Sequence, residues 1–479
     1  MTHMKLIFSL LVLLSSFSTS ASSASTILND IHSQLNPTSV REIHSPRSIE
    51  RIQELVRSAR ERKLAISISG GRHSMGGQQF GEGTLHLSMT DFNRILSLDE
   101  ERGLIEVESG IQWPEIIEWL SKRKSGWAIR QKQTGADRLS IGGALSSNIH
   151  GRGLKMRPMI DDVESFTLVD ANGDIKTCSR KENVELFRLA IGGYGLFGII
   201  GTVKLRLSPL TTLKRVVRII DASDFVALAE RRINEGFRYG DFQFAIDPHS
   251  REFMKTGVAS LYQAVPTPET MPEKQKELSE SDWLDLIGLA HADKKKAFEF
   301  YSKYYLSTDG QLYQSDTHQL GVYLDDYHRK LAGNAQATEM ISEIYVPRSK
   351  LGVLFRRLRE DFRRKNVNVI YGTVRLIEKD RESFLAWAKE DYAAIVFNFH
   401  VEHDDQGIKR AKREFRLIID RALELGGSYF LTYHSWATRR QVLRAYPQMP
   451  AFLRLKKKYD PEERFQSEWY RHHKKLVAN

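Results

Sequence analysis

Apolar and polar positions recur with two different periods along this chain, and each change of period marks an element. Ile49, Ile52, Leu55, Val56 and Ala59 return at helical spacing while Arg57, Arg60 and Arg62 fall elsewhere, which predicts a helix opening at Ser45-Pro46. Leu64–Ser69 then alternates as a half-buried strand and runs into Gly70-Gly71-Arg72-His73-Ser74-Met75-Gly76-Gly77. Thr84–Ser88 reads as a short strand. Phe92–Leu98 and Leu104–Ser109 alternate on either side of Asp99–Gly103, a hairpin pattern. Trp113-Pro114 starts the helix Glu115–Arg123, with proline where the first turn tolerates it. Val163–Val169 and Asp174–Cys178 form a second hairpin around Ala171-Asn172-Gly173. A short helix Asn183–Leu189 and a strand Thr202–Leu207, ended by Pro209, close this part.

Glycine-rich loops become rare after Pro209. Strand patterns (Arg215–Ile220, Asp241–Ile246, Asn366–Leu376, Ala394–Val401) alternate with helical ones (Ser223–Glu235, Trp283–Tyr305, Lys350–Arg364, Ile408–Leu425). That order predicts an α+β layer with helices on one face of a mostly antiparallel sheet. The last stretch changes again: a turn at Tyr446–Pro450, a basic helix Phe452–Tyr459, and a helix Glu462–Tyr470 expected from Asp460 as cap and Pro461 in the first turn.

Three glycine-rich loops beside strands interrupt the first 200 or so residues, at Gly70–Gly77, Thr134–Gly153 and Ile191–Ile200. Glycine lets backbone N–H groups approach a negative ligand without a side chain in the way, so three such loops suggest one extended anion. No glycine is followed by Lys-Ser or Lys-Thr at P-loop spacing. His150-Gly151-Arg152-Gly153 lacks the third glycine of a dinucleotide fingerprint, and Pro158 spoils the helix that should follow.

The sequence GGRHSMGG after a strand, followed by Thr134-Gly135-Ala136, Ser140-Ile141-Gly142-Gly143-Ala144, His150-Gly151-Arg152-Gly153 and Gly195-Leu196-Phe197-Gly198-Ile199-Ile200, closely resembles the FAD-binding domain of the vanillyl-alcohol oxidase family, the p-cresol methylhydroxylase (PCMH) type. The resemblance covers about residues 36–208. Tyr459-Asp460-Pro461 with Phe465 is similar to that family's returning C-terminal segment. Glu343–Arg348 and Thr373-Val374-Arg375 look most like the sugar-lactone and polyol oxidase branch. The implied architecture is α+β: a PCMH-type FAD-binding domain at 36–208, an α+β substrate or cap domain at 209–440, and a segment 441–479 that returns to the first domain.

The resemblance implies FAD held by Gly70, Gly71, Arg72, His73, Ser74, Gly77, Thr134, Gly135, Ser140, Gly142, Gly143, Ser146, Asn148, His150, Gly198 and Ile200. Gly70, Gly71 and the Gly142-Gly143 pair would offer N–H donors to a diphosphate. His73 falls where many members of the family carry a histidine bonded to the flavin, so covalent attachment through His73 is expected, with a hydrogen-bonding histidine as the alternative. Arg72 departs from the glycine usual at that position. For substrate chemistry, Arg375 is the candidate cation, and His434 and His400 are candidate bases or substrate ligands, with Glu343 and Tyr371 weaker ones. The acidic residue two positions before the arginine in the branch is Thr373 here. The expected reaction is oxidation of a CH–OH group of a sugar, polyol or aldonolactone, with oxygen or a redox carrier as acceptor. A dehydrogenase or reductase for a lipid-linked or apolar substrate is the second reading, supported by Trp283, Tyr301, Tyr304, Tyr305 and Tyr323. A non-catalytic flavin- or sugar-binding protein is the third.

Composition adds limits. The chain has 479 residues, 41% of them hydrophobic, which allows a large core. Cys178 is the only cysteine, so an internal disulfide and a multi-cysteine zinc site are excluded. The formal charge of +11 suits an anionic cofactor and admits peripheral association with an anionic membrane, but Lys and Arg are spread too evenly to suggest nucleic acid. Lys5, the apolar run Leu6–Leu14 and the small residues Ser15–Ala24 have the order of a secretory signal, so cleavage after Ala24 and export are expected, an uncleaved anchor being the alternative. No metal ligand set is apparent.

Overall fold

The computed structural model describes residues 26–266, 271–272, 275–321 and 336–478. The expected leader 1–24 and Tyr323 lie outside them. The architecture is α+β.

Two sheets build the first part. A small parallel sheet orders Glu42–His44, Leu85–Ser88 and Ile66–Ser69. The helix Ile49–Glu61, capped by the Ser48 hydroxyl, buries Ile52, Leu55, Val56 and Ala59 against it. An antiparallel sheet orders Ile175–Ser179, Val163–Val169, Ile199–Pro209, Leu104–Glu108 and Ile95–Asp99, with Trp127–Ile129 added along the far end of Ile199–Pro209. The two hairpins expected from the alternating pattern are both present. The third glycine-rich loop feeds directly into the longest strand of this sheet.

Residues beyond Pro209 form an eight-stranded antiparallel sheet in the order Leu312–Gln314, Thr212–Asp221, Thr256–Val265, Phe237–Phe244, Val369–Ile377, Tyr392–Glu402, Ala337–Pro347, Ser428–Tyr429. Helices were expected on one face, and that face exists. Phe225 stacks on Phe242, and Phe355 meets Phe244 edge-on, placing Phe225–Asn234 and Leu351–Lys365 there. The other face is partly covered as well. Trp283–Tyr305, expected as one helix, is two, Glu280–Ala292 and Lys294–Ser307, because Asp293 turns and caps the second one. This pair packs Leu286 and Tyr301 against Val217 and Val258 on the face opposite Phe242 and Phe244.

The end of the chain also departs from expectation. Asp460 does cap backbone, accepting from the N–H groups of Arg464 and Phe465, but no helix starts at Glu462. Glu463 takes a left-handed φ of 52°, which breaks the turn. The chain instead extends: Ile66 N–H donates to Arg464 O at 2.6 Å, and Gln466 N–H donates to Ile66 O at 2.9 Å. Phe465 thereby joins the parallel sheet and its core, and the last helix runs Glu468–Ala478. No helix among the described residues is long and apolar enough to cross a membrane.

Candidate functional site

Two openings meet at the first glycine-rich loop. The narrower is a channel between that loop, the helix Ile141–Ser147 and the third loop. Of the residues predicted from sequence, Gly70, Gly71, Arg72, His73, Ser74, Ser140, Gly142, Gly143, Ser146, Gly198 and Ile200 line it. The wider is a cavity of about 1390 Å³ bounded by Ser69–Arg72, by Thr134 and Gly135, and by the eight-stranded sheet with the helices Glu280–Ala292 and Lys294–Ser307.

The channel is small because backbone packs on backbone there. A Cβ on Gly70 would overlap the Ser140 hydroxyl, and one on Gly71 would overlap the Arg138 carbonyl. The Gly142 and Gly143 N–H groups were expected to face a ligand. Both are already used: Gly142 donates to Ser109 O at 2.7 Å and Gly143 to Ser140 Oγ at 3.2 Å. Their role is to bring the helix close. The N–H groups of Gly71 and Arg72 make no hydrogen bond among the described residues and remain as donors on the channel wall. An anion in this channel would meet them, so the cradle fits the diphosphate of FAD.

Arg72 occupies the left-handed region at φ 58°. Glycine adopts that conformation freely, whereas another L-residue is strained by about 1–2 kcal/mol. Its carbonyl accepts from Ile31 N–H at 3.1 Å, which helps to hold the turn, and its exposed side chain borders both openings. His73 is 8% exposed, and its Nδ1 lies 2.8 Å from Nε2 of His32. Burial first, and His32 second, push its pKa down to about 3, so the imidazole is neutral at physiological pH. His32 had no sequence signal pointing to it.

Three of the residues predicted to hold FAD line neither opening. Gly77 forms the turn that receives Trp469 N–H on its carbonyl. Asn148 ends the helix Ile141–Ser147 in a left-handed conformation and ties Ile160, Asp380 and Ser383 together through its amide. His150 is fully buried, with Nδ1 on Gly151 O and Nε2 on a Glu343 carboxylate oxygen. These are fixing positions.

Among the substrate candidates, Arg375 is 4% exposed, and its Nε and Nη1 have no hydrogen-bond partner. The strand register puts Arg375, Thr373 and Tyr371 on the same face as Glu343. Burial works against charge on Glu343, but His150, Arg375 and Tyr433 outweigh it and hold the carboxyl below its usual range. Tyr433 donates to its second oxygen at 3.3 Å. Glu343 thus earned more attention than the sequence suggested; a carboxylate inside the apolar run Met340–Val346 was the available signal. Lys132, fully buried and paired with Asp137, stands in the same electrostatic neighbourhood and was missed.

His434 lies elsewhere. It packs on Phe415 and Trp436, with Ser342 Oγ at 3.4 Å from Nε2, and burial pushes its pKa down to about 3. Ser342 belongs to the face of the sheet opposite Glu343, so His434 is a core group and not a cavity group. His400 pairs through Nδ1 with Glu339 at 2.9 Å and does not line the cavity. Tyr371 does line it, its hydroxyl accepting from Gln243 Nε2 at 2.8 Å.

The cavity has a polar pole and aromatic walls. Arg152, Arg215, Asp241 and His318 form the pole. Arg215 donates to the Tyr262 and Thr308 hydroxyls, and Arg152 donates to His318 O while its Nε has no partner. Trp283, Tyr301, Tyr304, Tyr305 and Tyr313 supply the walls.

Residues 41–179 match the family model of the FAD binding domain. The chain is 31% identical over 186 residues to L-gulonolactone oxidase of Bos taurus, covering 37% of this chain and 41% of that protein. It is 27% identical over 225 residues to L-gulono-1,4-lactone dehydrogenase of Mycobacterium tuberculosis (47% and 50%) and 29% identical over 199 residues to cytokinin dehydrogenase 1 of Arabidopsis thaliana (41% and 33%). The chain thus spans half or less of the length of these curated relatives. Its sequence carries a PCMH-type FAD-binding domain similar to those of the sugar-lactone oxidases, and its cofactor is FAD.

Proposed function

We propose that this flavoprotein is an oxidoreductase that removes a hydride from a CH–OH group of a sugar, polyol or aldonolactone. The observation that carries the reading is the junction of channel and cavity at Ser69–Arg72, with a buried, incompletely bonded Arg375 on the sheet face that carries Glu343. FAD, when bound, supplies the hydride acceptor. The Gly71 and Arg72 N–H groups would hold its diphosphate, and the channel residues Ser74, Ser140 and Ser146 would lie beside it. Arg375 lines neither opening, and we assign its buried, unpartnered Nε and Nη1 groups to stabilising negative charge that develops during transfer. Glu343 stays ionised and, through His150 and Tyr433, fixes the floor beneath them. Arg152 and Asp241 at the pole bind substrate hydroxyls, and His318, kept neutral by burial beside Arg152 and Arg215, borders the same pole.

A second reading has its own observation. The cavity exceeds the ~300–1,000 Å³ of ordinary ligand pockets even before the ring of the cofactor takes its share. Its aromatic walls suit a substrate that joins a hydroxylated head to a bulky apolar or lipid-linked body. Export of the chain belongs to this proposal, on the strength of Lys5, Leu6–Leu14 and Ser15–Ala24.

Anaerobic mixing of the yellow protein with candidate substrates tests the assignment. Bleaching by aldonolactones or polyols supports the first reading, and bleaching by a lipid extract alone supports the second. A flavin that no hydroxylated compound bleaches would overturn both.

A further inference from the structure

We propose that His291, Glu339 and His400 bind one divalent transition-metal ion of the zinc class, which clamps the helix Glu280–Ala292 to the sheet beside the cavity. The three come from different elements: His291 from that helix, Glu339 from the strand Ala337–Pro347 and His400 from its antiparallel partner Tyr392–Glu402. Glu339 and His400 are direct cross-strand neighbours. One potential ligand atom from each residue lies within 4.8 Å of the other two. Glu339 Oε1 is 2.9 Å from His400 Nδ1 and 3.2 Å from His291 Nε2, and the two rings stand nearly perpendicular with centroids 5.1 Å apart.

Two features favour an ion over a simple ion pair. Glu339 is 4% exposed, yet its Oε2 has no hydrogen-bond partner, which is costly for a buried carboxylate oxygen. The nearby cation Lys294 does not serve it: its ammonium donates to the Ala290 and Val369 carbonyls. A site of two imidazoles and one carboxylate suits zinc and its first-row neighbours, whereas magnesium and calcium prefer all-oxygen sets. Zinc needs N and O atoms at about 2.0–2.2 Å, reachable here by small rotations of the imidazoles. Both histidine side chains keep about a quarter of their surface open, 22% for His291 and 24% for His400, so an ion has a way in and a fourth position is left for water.

The place of the cluster gives the clamp a purpose. Ala290, next to His291, and Asn398, two residues before His400 on the same face, both line the cavity, as do Trp283, Leu286 and Ile287 of the same helix. The ion would therefore set the position of a cavity wall without touching the channel. It is a positioning site, independent of which substrate the cavity takes.

The test uses the full chain with its flavin, stripped with a chelator and titrated with Zn²⁺, and with Co²⁺ as a coloured probe. One equivalent should bind, Co²⁺ should show the visible bands of a low-coordinate N,O site, and His400→Ala and Glu339→Gln should each weaken uptake about 100-fold or more while the flavin content stays the same. Chelation should lower the Tm of the unaltered protein and leave that of His400→Ala unchanged. Absence of saturable uptake in the unaltered protein would overturn the proposal, as would equal uptake by the His291→Ala/His400→Ala double variant. Should the variants misfold, the stoichiometry and Co²⁺ spectrum of the unaltered chain decide alone.

Discussion

The channel beside Gly70 and the cavity beside Trp283 share four residues and are built on opposite plans. The channel is walled largely by backbone and side chains of the three glycine-rich loops, with Met89 and Ser109 beside them. The cavity is walled by large side chains gathered from many elements, several more than 100 residues apart in the chain, such as His32, Arg152 and Trp283. A cofactor with a fixed shape allows the first plan, since any added atom collides. A substrate is selected by side chains, so the second plan leaves room for change. The matched stretch 41–179 covers most of the channel but only the smaller part of the cavity lining. The lactone and cytokinin names among the relatives show different substrates beside similar FAD-binding sequences.

The contrast can be broken by mutation. Gly70→Ala should have the largest effect, because its Cβ would overlap Ser140; flavin content per chain should fall at least tenfold, measured by absorbance after gel filtration. Arg375→Met should leave flavin content intact and lower kcat by about 10²–10³-fold, the range for removing one charge-stabilising donor group. A loss of flavin in that variant would place Arg375 in the channel's plan instead. Trp283→Ala should raise KM about tenfold with little change in kcat, as expected of a packing contact worth about 1–2 kcal/mol.

His73 sharpens the same line. If the ring is bonded to the flavin, denatured protein should stay yellow and His73→Ala should release the colour. Acidity tests the loop more gently. His73 and His86 have folded pKa values of about 3 and about 4, both below the free value of 6.5. Between pH 6.5 and 4 the unfolded chain therefore binds more protons, and the stability these residues contribute above pH 6.5 is lost as the pH falls. Free flavin fluorescence should rise across that window, and His86→Gln should flatten the rise. His86 is held by the Ser67 and Ser69 hydroxyls at 2.9 Å, so glutamine retains part of its bonding.

What was legible follows the same division. Glycine pairs betray the channel because its contacts are local and intolerant of side chains. Arg375 stood out from a strand motif, and the structure shows it buried with Nε and Nη1 unpartnered. The pairing of His150 with Glu343, of His73 with His32 and of His291 with His400 through Glu339 was not, since each depends on two or three distant segments meeting. His434 misled for the reverse reason: a histidine in an aromatic run looks chemical in one dimension and proves to be packed between Phe415 and Trp436. The final helix was misplaced because Asp460 and Pro461 announce a start that Glu463 refuses.

The seating of Arg464–Gln466 on Ile66 has a consequence in time. Ile66 belongs to the strand that delivers the Gly70 loop, and its outer edge is completed by residues nearly 400 positions later. Arg464 also donates to the carbonyls of Ala59 and Leu64, closing the turn between the first helix and that strand. A ribosome making this chain releases those residues nearly 400 positions after Ile66. The FAD-binding domain thus waits for residues made long after its own, and a nascent chain stopped anywhere before Arg464 would leave the strand edge bare and the loop unsupported. Capture of the cofactor becomes, in effect, a check that translation has passed Arg464.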